Sequence, residues 1–229
     1  MGAKEKNPLV EGLKGHLVVS CQAYAGEPLR HPETMAQMAR AAEIGGAAAI
    51  RCQGISDISA IKGRVEIPVI GLWKEGHDGV YITPTLRHAL ACVYAGADVV
   101  AIDATGRARP DGLTFQQTVD GLRGKTLIMA DCGSIDDVKR ALDAQVDIVS
   151  TTLAGYTQDR AKTDGPDLDF LEQAVAVAEG VPVFCEGRLH TPEQAHQAMD
   201  MGAWAVVVGT AITHPTSVTG WFKDAVENP

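Results

Sequence analysis

What the chain lacks narrows it first. No apolar run reaches the ~18 residues of a membrane span, and the N-terminal MGAKEKNPLVEGLKG has no apolar signal core. A cytoplasmic location without a membrane partner is therefore expected. The chain begins Met-Gly, yet position six is Lys6 rather than Ser or Thr, so the myristoylation pattern is absent. A positive surplus is missing too. With a formal net charge of −9, nucleic acid and anionic membrane surfaces are not expected partners. A small phosphorylated ligand is not excluded, because such a site is local and built largely from backbone. The five cysteines are odd in number and follow no signal segment, which points to a reduced compartment rather than a disulfide framework. The seven histidines show no HxH or HExxH spacing, so no metal site is expected.

What is present is repetition. Apolar runs begin near Leu17 (LVVSCQ), Ala47 (AAAIRC), Pro68 (PVIGLWK), Asp98 (DVVAID), Thr126 (TLIMAD), Asp147 (DIVST), Pro182 (PVFCEG) and Ala205 (AVVVGT). Their starts lie 21 to 35 residues apart, about the length of a strand, a helix and two short loops. Near-continuous apolar runs without alternation are what parallel strands covered on both faces require. EIGGAAAI, YAGADVVAI, DAQVDIVST and DMGAWAVVVG echo one another at the even strands, which suggests four stacked quarter-barrels. PETMAQMARAAEIG, TLRHALACVYAG, SIDDVKRALDA, DFLEQAVAVAEG and TPEQAHQAMDMG have helical spacing, polar first-turn caps and small residues at their ends. The fold class expected is α/β, a single (β/α)8 TIM barrel over residues 1–229, with 1–16 as an N-terminal capping segment.

Residues 182–214 are the most informative stretch. A strand ending in Glu186-Gly187-Arg188 and another ending in Gly209-Thr210 both lead into helix N-termini. Backbone N–H groups at two such ends converge on one space and suit a phosphate dianion. Loops after strands seven and eight are where this fold holds phosphate. Gly187, Arg188, Gly209 and Thr210 are thus the expected phosphate-binding residues.

Active sites in this fold lie at the C-terminal mouth. The polar strand ends there are Gln22, Arg51, Lys74, Asp103, Asp131, Thr151 or Thr152, Glu186 and Thr210. Charged residues often end strands simply because the strand meets water. So many ends converging beside a phosphate-type loop pair favour a site. Lys74 follows PVIGLW and should emerge from an apolar wall, where desolvation lowers its pKa toward that of a usable base; the alternative is a solvated lysine in KEGHDG. Cys21, Cys52, Cys132 and Cys185 also lie at strand ends, each beside a polar candidate. Because successive side chains point to opposite faces, the cysteines should face the helices as small hydrophobes.

SCQAYAGEPL, AIRCQGISDISAIK, PVIGLWK, VYITPT, DVVAIDATGRARP, the Asp131 end of TLIMAD, FCEGRLHTPEQA and VVVGTAIT together resemble the N-acetylmannosamine-6-phosphate 2-epimerase (NanE) family, from about Leu17 to Thr219. The combination of SCQA, DAT-x-R-x-RP and EGR-x-x-TPE is specific to it, whereas GTAIT alone would be weak. The resemblance implies interconversion of N-acetylmannosamine 6-phosphate and N-acetylglucosamine 6-phosphate, with no metal or organic cofactor. It implies catalytic roles for Lys74 and Glu186, and substrate contacts at Gln22, Arg51 and Asp131, with Asp103 and Thr105 of the DAT motif beside them. It further implies a homodimer, with which exposed Trp221 and Phe222 would be consistent. Two departures are visible: Asp131-Cys132-Gly133-Ser134 replaces the usual D-I-S-T, and His214 stands where the family has an arginine before proline.

The chemistry suits these residues on its own terms. Inverting C2 of a 2-acetamido sugar becomes feasible once the ring opens and an aldehyde sits at C1. The enzyme then needs a base for C2, a group for the hydroxyl protons and donors for the enediolate. Strands three and seven are four apart in a ring of eight, so Lys74 and Glu186 can approach from opposite walls. The spacing leaves open whether one base or two serve C2. Rival readings are a Schiff-base phosphosugar lyase using Lys74, a barrel of the thiamine-phosphate synthase or indole-glycerol-phosphate synthase kind, and a non-catalytic sugar-phosphate sensor.

Overall fold

The computed structural model describes residues 7–228; the Met-Gly start and Lys6, on which the myristoylation reading rests, lie outside them. A short α1 (Pro8–Glu11) precedes eight parallel strands: β1 (Leu17–Cys21), β2 (Ala49–Gln53), β3 (Val69–Leu72), β4 (Val99–Asp103), β5 (Leu127–Asp131), β6 (Ile148–Ser150), β7 (Val183–Glu186) and β8 (Ala205–Val208). They pair in chain order and close into a barrel, with Leu17 of β1 opposite Val206 of β8 and Val19 opposite Val208. Between the strands run α2 (Pro32–Ile44), α3 (Ile55–Lys62), α4 (Leu86–Tyr94), α5 (Phe115–Leu122), α6 (Ile135–Asp143), α7 (Leu168–Val177) and α8 (Pro192–Asp200); α9 (Thr210–Thr213) and α10 (Pro215–Glu227) follow β8. The expected (β/α)8 fold and all eight strands are therefore present.

Local sequence explains where the helices begin. Reciprocal capping boxes open α5 (Thr114 with Gln117), α6 (Ser134 with Asp137) and α8 (Thr191 with Gln194), each satisfying two backbone donors that the first turn leaves unpaired. Neither α3 nor α5 was among the helical segments read from the sequence. The Thr-x-x-Gln spacing of Thr114 and Gln117 is the one local mark of α5, and Gly121 interrupts its run. That glycine admits a neighbour, since a Cβ there would stand 2.6 Å from Leu86 Cδ2.

The pleat divides the interior into two layers. Outward strand residues such as Val19, Ile50, Val100, Ala130 and Val149 pack under the helices, while Val18, Ala49, Ile70, Val99, Met129, Phe184 and Val207 fill the barrel. Val10 and Leu13 join that inner layer from below. Trp204 Nε1 donates to the Val10 carbonyl at 2.9 Å and the Gly15 N–H donates to the Trp204 carbonyl at 2.8 Å. The segment after residue 7 thus plugs the bottom of the barrel. Cys21, Cys52, Cys132 and Cys185 all sit in the outer layer. Burial pushes the Cys21 and Cys185 thiols up to about 12 and raises Cys52 and Cys132 well above the ordinary thiol value, so these groups are not nucleophiles at neutral pH.

Candidate active site

At the mouth the same inward positions turn polar. Arg51 is 1% exposed and bonds Asp131 through both prongs, Nη1 to Oδ1 at 3.0 Å and Nη2 to Oδ2 at 2.6 Å. Its Nη1 also lies 3.1 Å from Glu186 Oε2, so one guanidinium serves two carboxylates from different strands. Bidentate geometry of this kind is what an arginine offers and a lysine does not. Thr152 Oγ1 sits 2.7 Å from Asp131 Oδ1 and 3.0 Å from Glu186 Oε2. Its single proton can reach only one of them, which leaves room for a proton on the other.

Lys74 follows β3 and lies near this cluster. Burial, with a smaller contribution from the Arg51 charge, lowers its pKa to about 8, against the opposing pull of Glu186 and Asp131. The Tyr24 ring stands 5.4 Å from its Nζ. For Glu186, burial raises the pKa to about 6, with Asp131 adding to the shift and Arg51, Thr152 and Lys74 opposing it. An amine and a carboxyl brought toward neutrality from opposite directions are suited to proton transfer at physiological pH.

Both groups line a cavity of about 530 Å³ at the C-terminal mouth, together with Gln22, Tyr24, Tyr81, Thr152, Tyr156, Gly187, Arg188, His190, Gly209, Thr210 and His214. Gln22 Oε1 and Arg51 Nε are buried and have no hydrogen-bond partner among the described residues. Burying a polar atom unpaired costs ~1–3 kcal/mol, and such atoms in a cavity wall mark places where a ligand supplies the partner.

The glycine-bearing ends after β7 and β8 do converge on this cavity. Thr213 Oγ1 donates to the Ser20 carbonyl at 2.7 Å and thereby ties α9 to β1. The Arg188 side chain turns away to the neighbouring loop. Its Nε donates to the Gly165 carbonyl at 3.0 Å, Nη1 to the Ala154 carbonyl at 2.8 Å and Nη2 to Thr163 Oγ1 at 3.0 Å. The side chain staples the long loop between β6 and α7 while the backbone of Arg188, at φ 55°, turns along the cavity. His214 caps α10, with Nδ1 2.6 Å from Ser217 Oγ, and its Nε2 meets the Glu27 carboxylate.

Three other sequence-chosen residues are recessed. Asp131 is fully buried behind Arg51. Asp103 is equally buried and accepts from the Thr105 N–H at 2.8 Å, the Thr105 hydroxyl at 2.6 Å and Arg107 Nη2 at 2.7 Å. None of Asp131, Asp103 and Thr105 lines the cavity. Of the pair left open at strand six, Thr152 faces inward, while Thr151 joins β6 to β7 by accepting from the Glu186 N–H at 2.9 Å. Parity from Ile148 would have decided this. Tyr24 and Tyr156 were not singled out because they lie in loops with no periodicity to read.

Comparison with known proteins agrees with this geometry. The family described as "Putative N-acetylmannosamine-6-phosphate epimerase" matches residues 35–228. The chain belongs to that family. A relative from Cutibacterium acnes, bearing the 2-epimerase form of that description, is 61% identical over 221 residues, covering 95% of this chain and 96% of the relative. Another, from Caldanaerobacter subterraneus subsp. tengcongensis, is 48% identical over 93% of this chain and 92% of its own. The solved N-acetylmannosamine-6-phosphate 2-epimerase from Clostridium perfringens superposes with a TM-score of 0.92 at 39% identity, covering 98% and 99% of the two chains. Thiamine phosphate pyrophosphorylase from Pyrococcus furiosus, at 17% identity and a TM-score of 0.61, shares the barrel alone. Membership in the epimerase family makes the protein an isomerase.

Proposed function

We propose that this protein interconverts N-acetylmannosamine 6-phosphate and N-acetylglucosamine 6-phosphate by removing and returning the proton at C2. The observation that carries this reading is the pair Lys74 and Glu186, supplied by opposite walls to one cavity, with pKa values of about 8 and about 6. In the open-chain sugar, neutral Lys74 takes the C2 proton and the electron pair moves onto the C1 aldehyde oxygen as an enolate that carries the acetamido group at C2. A proton then returns to C2 on the opposite face and the carbonyl re-forms. Glu186 serves either that second face or the hydroxyl end, and deuterium exchange separates the two roles.

The remaining residues support this chemistry. Arg51, held by Asp131, offers its unpaired Nε and its positive charge to the developing oxyanion. Gln22, whose carbonyl oxygen also lacks a partner, takes an amide or hydroxyl donor of the sugar. Asp103 and Thr105 act through Arg107, whose guanidinium they hold. Backbone groups of Gly187, Arg188, Gly209 and Thr210 receive the phosphate, with His214 in place of a permanent cation. The same reading includes a cytoplasmic homodimer, supported by the family resemblance and by exposed Phe222 on α10. Sedimentation velocity checks the dimer. The reaction is tested by a coupled epimerase assay on N-acetylmannosamine 6-phosphate and on the free sugar. Turnover of the phosphorylated sugar with little of the free one supports the reading; turnover of neither refutes it.

A further inference from the structure

The chain bearing Lys74 is held by a residue in a costly conformation. Register between β3 and β4 pairs Ile70 with Val99 and Gly71 with Val100. Past Leu72 the chain forms a hairpin instead. Lys74 bridges antiparallel to Ile82, the Glu75 N–H donates to the Tyr81 carbonyl at 3.0 Å, and the Thr83 N–H donates to the Trp73 carbonyl at 2.8 Å. Thr83 closes this hairpin fully buried at φ 47°. A β-branched residue in the left-handed region is a genuine outlier, and Pro84 restricts it further. Such a conformation is costly and persists only where the surroundings over-determine it. Its hydroxyl does so: Oγ1 accepts from the Trp73 N–H at 3.1 Å and donates to the Ala101 carbonyl at 2.7 Å. One atom thus bridges the end of β3 to β4 just beyond their shared ladder.

We infer that Thr83 is a positioning residue for Lys74, its hydroxyl wedged between β3 and β4 so that the hairpin delivers the lysine amine into the cavity beside Arg51 and Glu186. The bonds fall on Trp73, the immediate neighbour of Lys74, and leave the lysine side chain free for substrate. The inference rests on Lys74 being the base at C2, so its test carries a readout that does not depend on turnover.

Thr83→Gly removes the hydroxyl and relieves the backbone, because glycine takes positive φ freely. Misplacing the amine should lower kcat about 10²-fold with KM changed less than about threefold. The Lys74 titration, followed by NMR of ¹³C-labelled lysine with Lys74→Arg identifying the signal, should move up toward the ordinary ~10.4. The groups facing the amine, Arg51, Asp131, Glu186 and the Tyr24 ring, are unchanged in this variant. Thr83→Ser, which keeps the hydroxyl, should restore both kcat and the titration. Should Thr83→Gly not fold, Thr83→Asn tolerates the left-handed region but cannot both accept and donate through one atom, and carries the same readouts. A folded variant with kcat near wild type, or with kcat lowered while the Lys74 titration stays put, overturns the inference. If wild-type protein turns over neither sugar phosphate while the titration still moves in Thr83→Gly, the epimerase reading falls and the positioning role stands.

Discussion

At the bottom of the barrel the inward residues are Val18, Ala49, Met129, Ile148 and Phe184, closed off by Val10 and Leu13. Two positions further along the same strands stand Ser20, Arg51, Asp131, Ser150 and Glu186, and β3 leads in the same way from Leu72 to Lys74. One step of the pleat changes the interior from apolar to ionisable. The lower layer stabilises by burial, each large side chain contributing ~1.5–3 kcal/mol. The upper layer takes charges out of water and recovers that cost only in part through their mutual pairing. A chain that keeps such a layer does so for chemistry, and perturbing the two layers should differ in what it does to the Lys74 titration.

The largest effects should come from breaking either layer at its centre. Phe184→Ala leaves a cavity in the plug layer and should cost about 3–5 kcal/mol in denaturant unfolding without moving the Lys74 titration. Arg51→Met should cost a similar ~3–5 kcal/mol, because Asp131 and Glu186 are left buried without their partner. It should also raise the Lys74 pKa, since the Arg51 charge helps hold it down. Identical responses of that titration to both variants would erase the distinction between layers.

A smaller effect of opposite sign is expected at Lys74. Its folded pKa of about 8 lies below the ~10.4 of an unfolded lysine, so between those values the unfolded chain holds more protons and stability rises with pH. Below pH ~8 the penalty is complete. Lys74→Met should therefore stabilise the protein by roughly 2 kcal/mol at pH 7, allowing for the partial exposure of the chain. The gain should shrink as pH rises from ~8 to ~10. Unfolding curves across this range check both the sign and the window, and a destabilised Lys74→Met at pH 7 would count against a desolvated amine.

Arg188→Ala should loosen the loop between β6 and α7 and raise KM for the phosphorylated sugar about tenfold, a change of ~1.4 kcal/mol. Affinity for the free sugar should hardly change. Equal effects on both sugars, read from steady-state kinetics and competition, would remove Arg188 from the phosphate end. The smallest effect belongs to the outer layer. A folded variant with Cys21, Cys52, Cys132 and Cys185 changed to Ala or Ser should keep most of its turnover, whereas a loss beyond ~10³-fold, the size of a missing general base, would place a thiol at the substrate.

Much of this was legible in the sequence because the physics behind it is periodic. Strands buried on both faces must be apolar throughout, so all eight could be counted, and parity then separated Arg51 from Cys52 and Glu186 from Cys185. Depth was not legible. Asp103 and Asp131 end their strands just as Glu186 does, yet they sit beneath the cavity because Arg107 and Arg51 cover them, which depends on contacts across the barrel. The helix α3 was missed because Gly54, Ser56 and Ser59 blur its period. Loops hid more: the Arg188 guanidinium finds its partners in a segment more than twenty residues away, and nothing in VYITPT discloses that Thr83 takes a positive φ.

The most direct test of Lys74 as the base at C2 is proton exchange measured by NMR in D₂O with N-acetylmannosamine 6-phosphate. Wild-type protein should wash deuterium into C2 as it inverts. Lys74→Ala should lose the exchange while still binding the sugar phosphate, because its role exists only on the way to the transition state. Glu186→Gln refines the result: exchange into the starting sugar without inversion identifies Glu186 as the second base, and joint loss of both identifies Lys74 acting alone at C2. A Lys74→Ala protein that exchanges the C2 proton at near the wild-type rate would contradict the account.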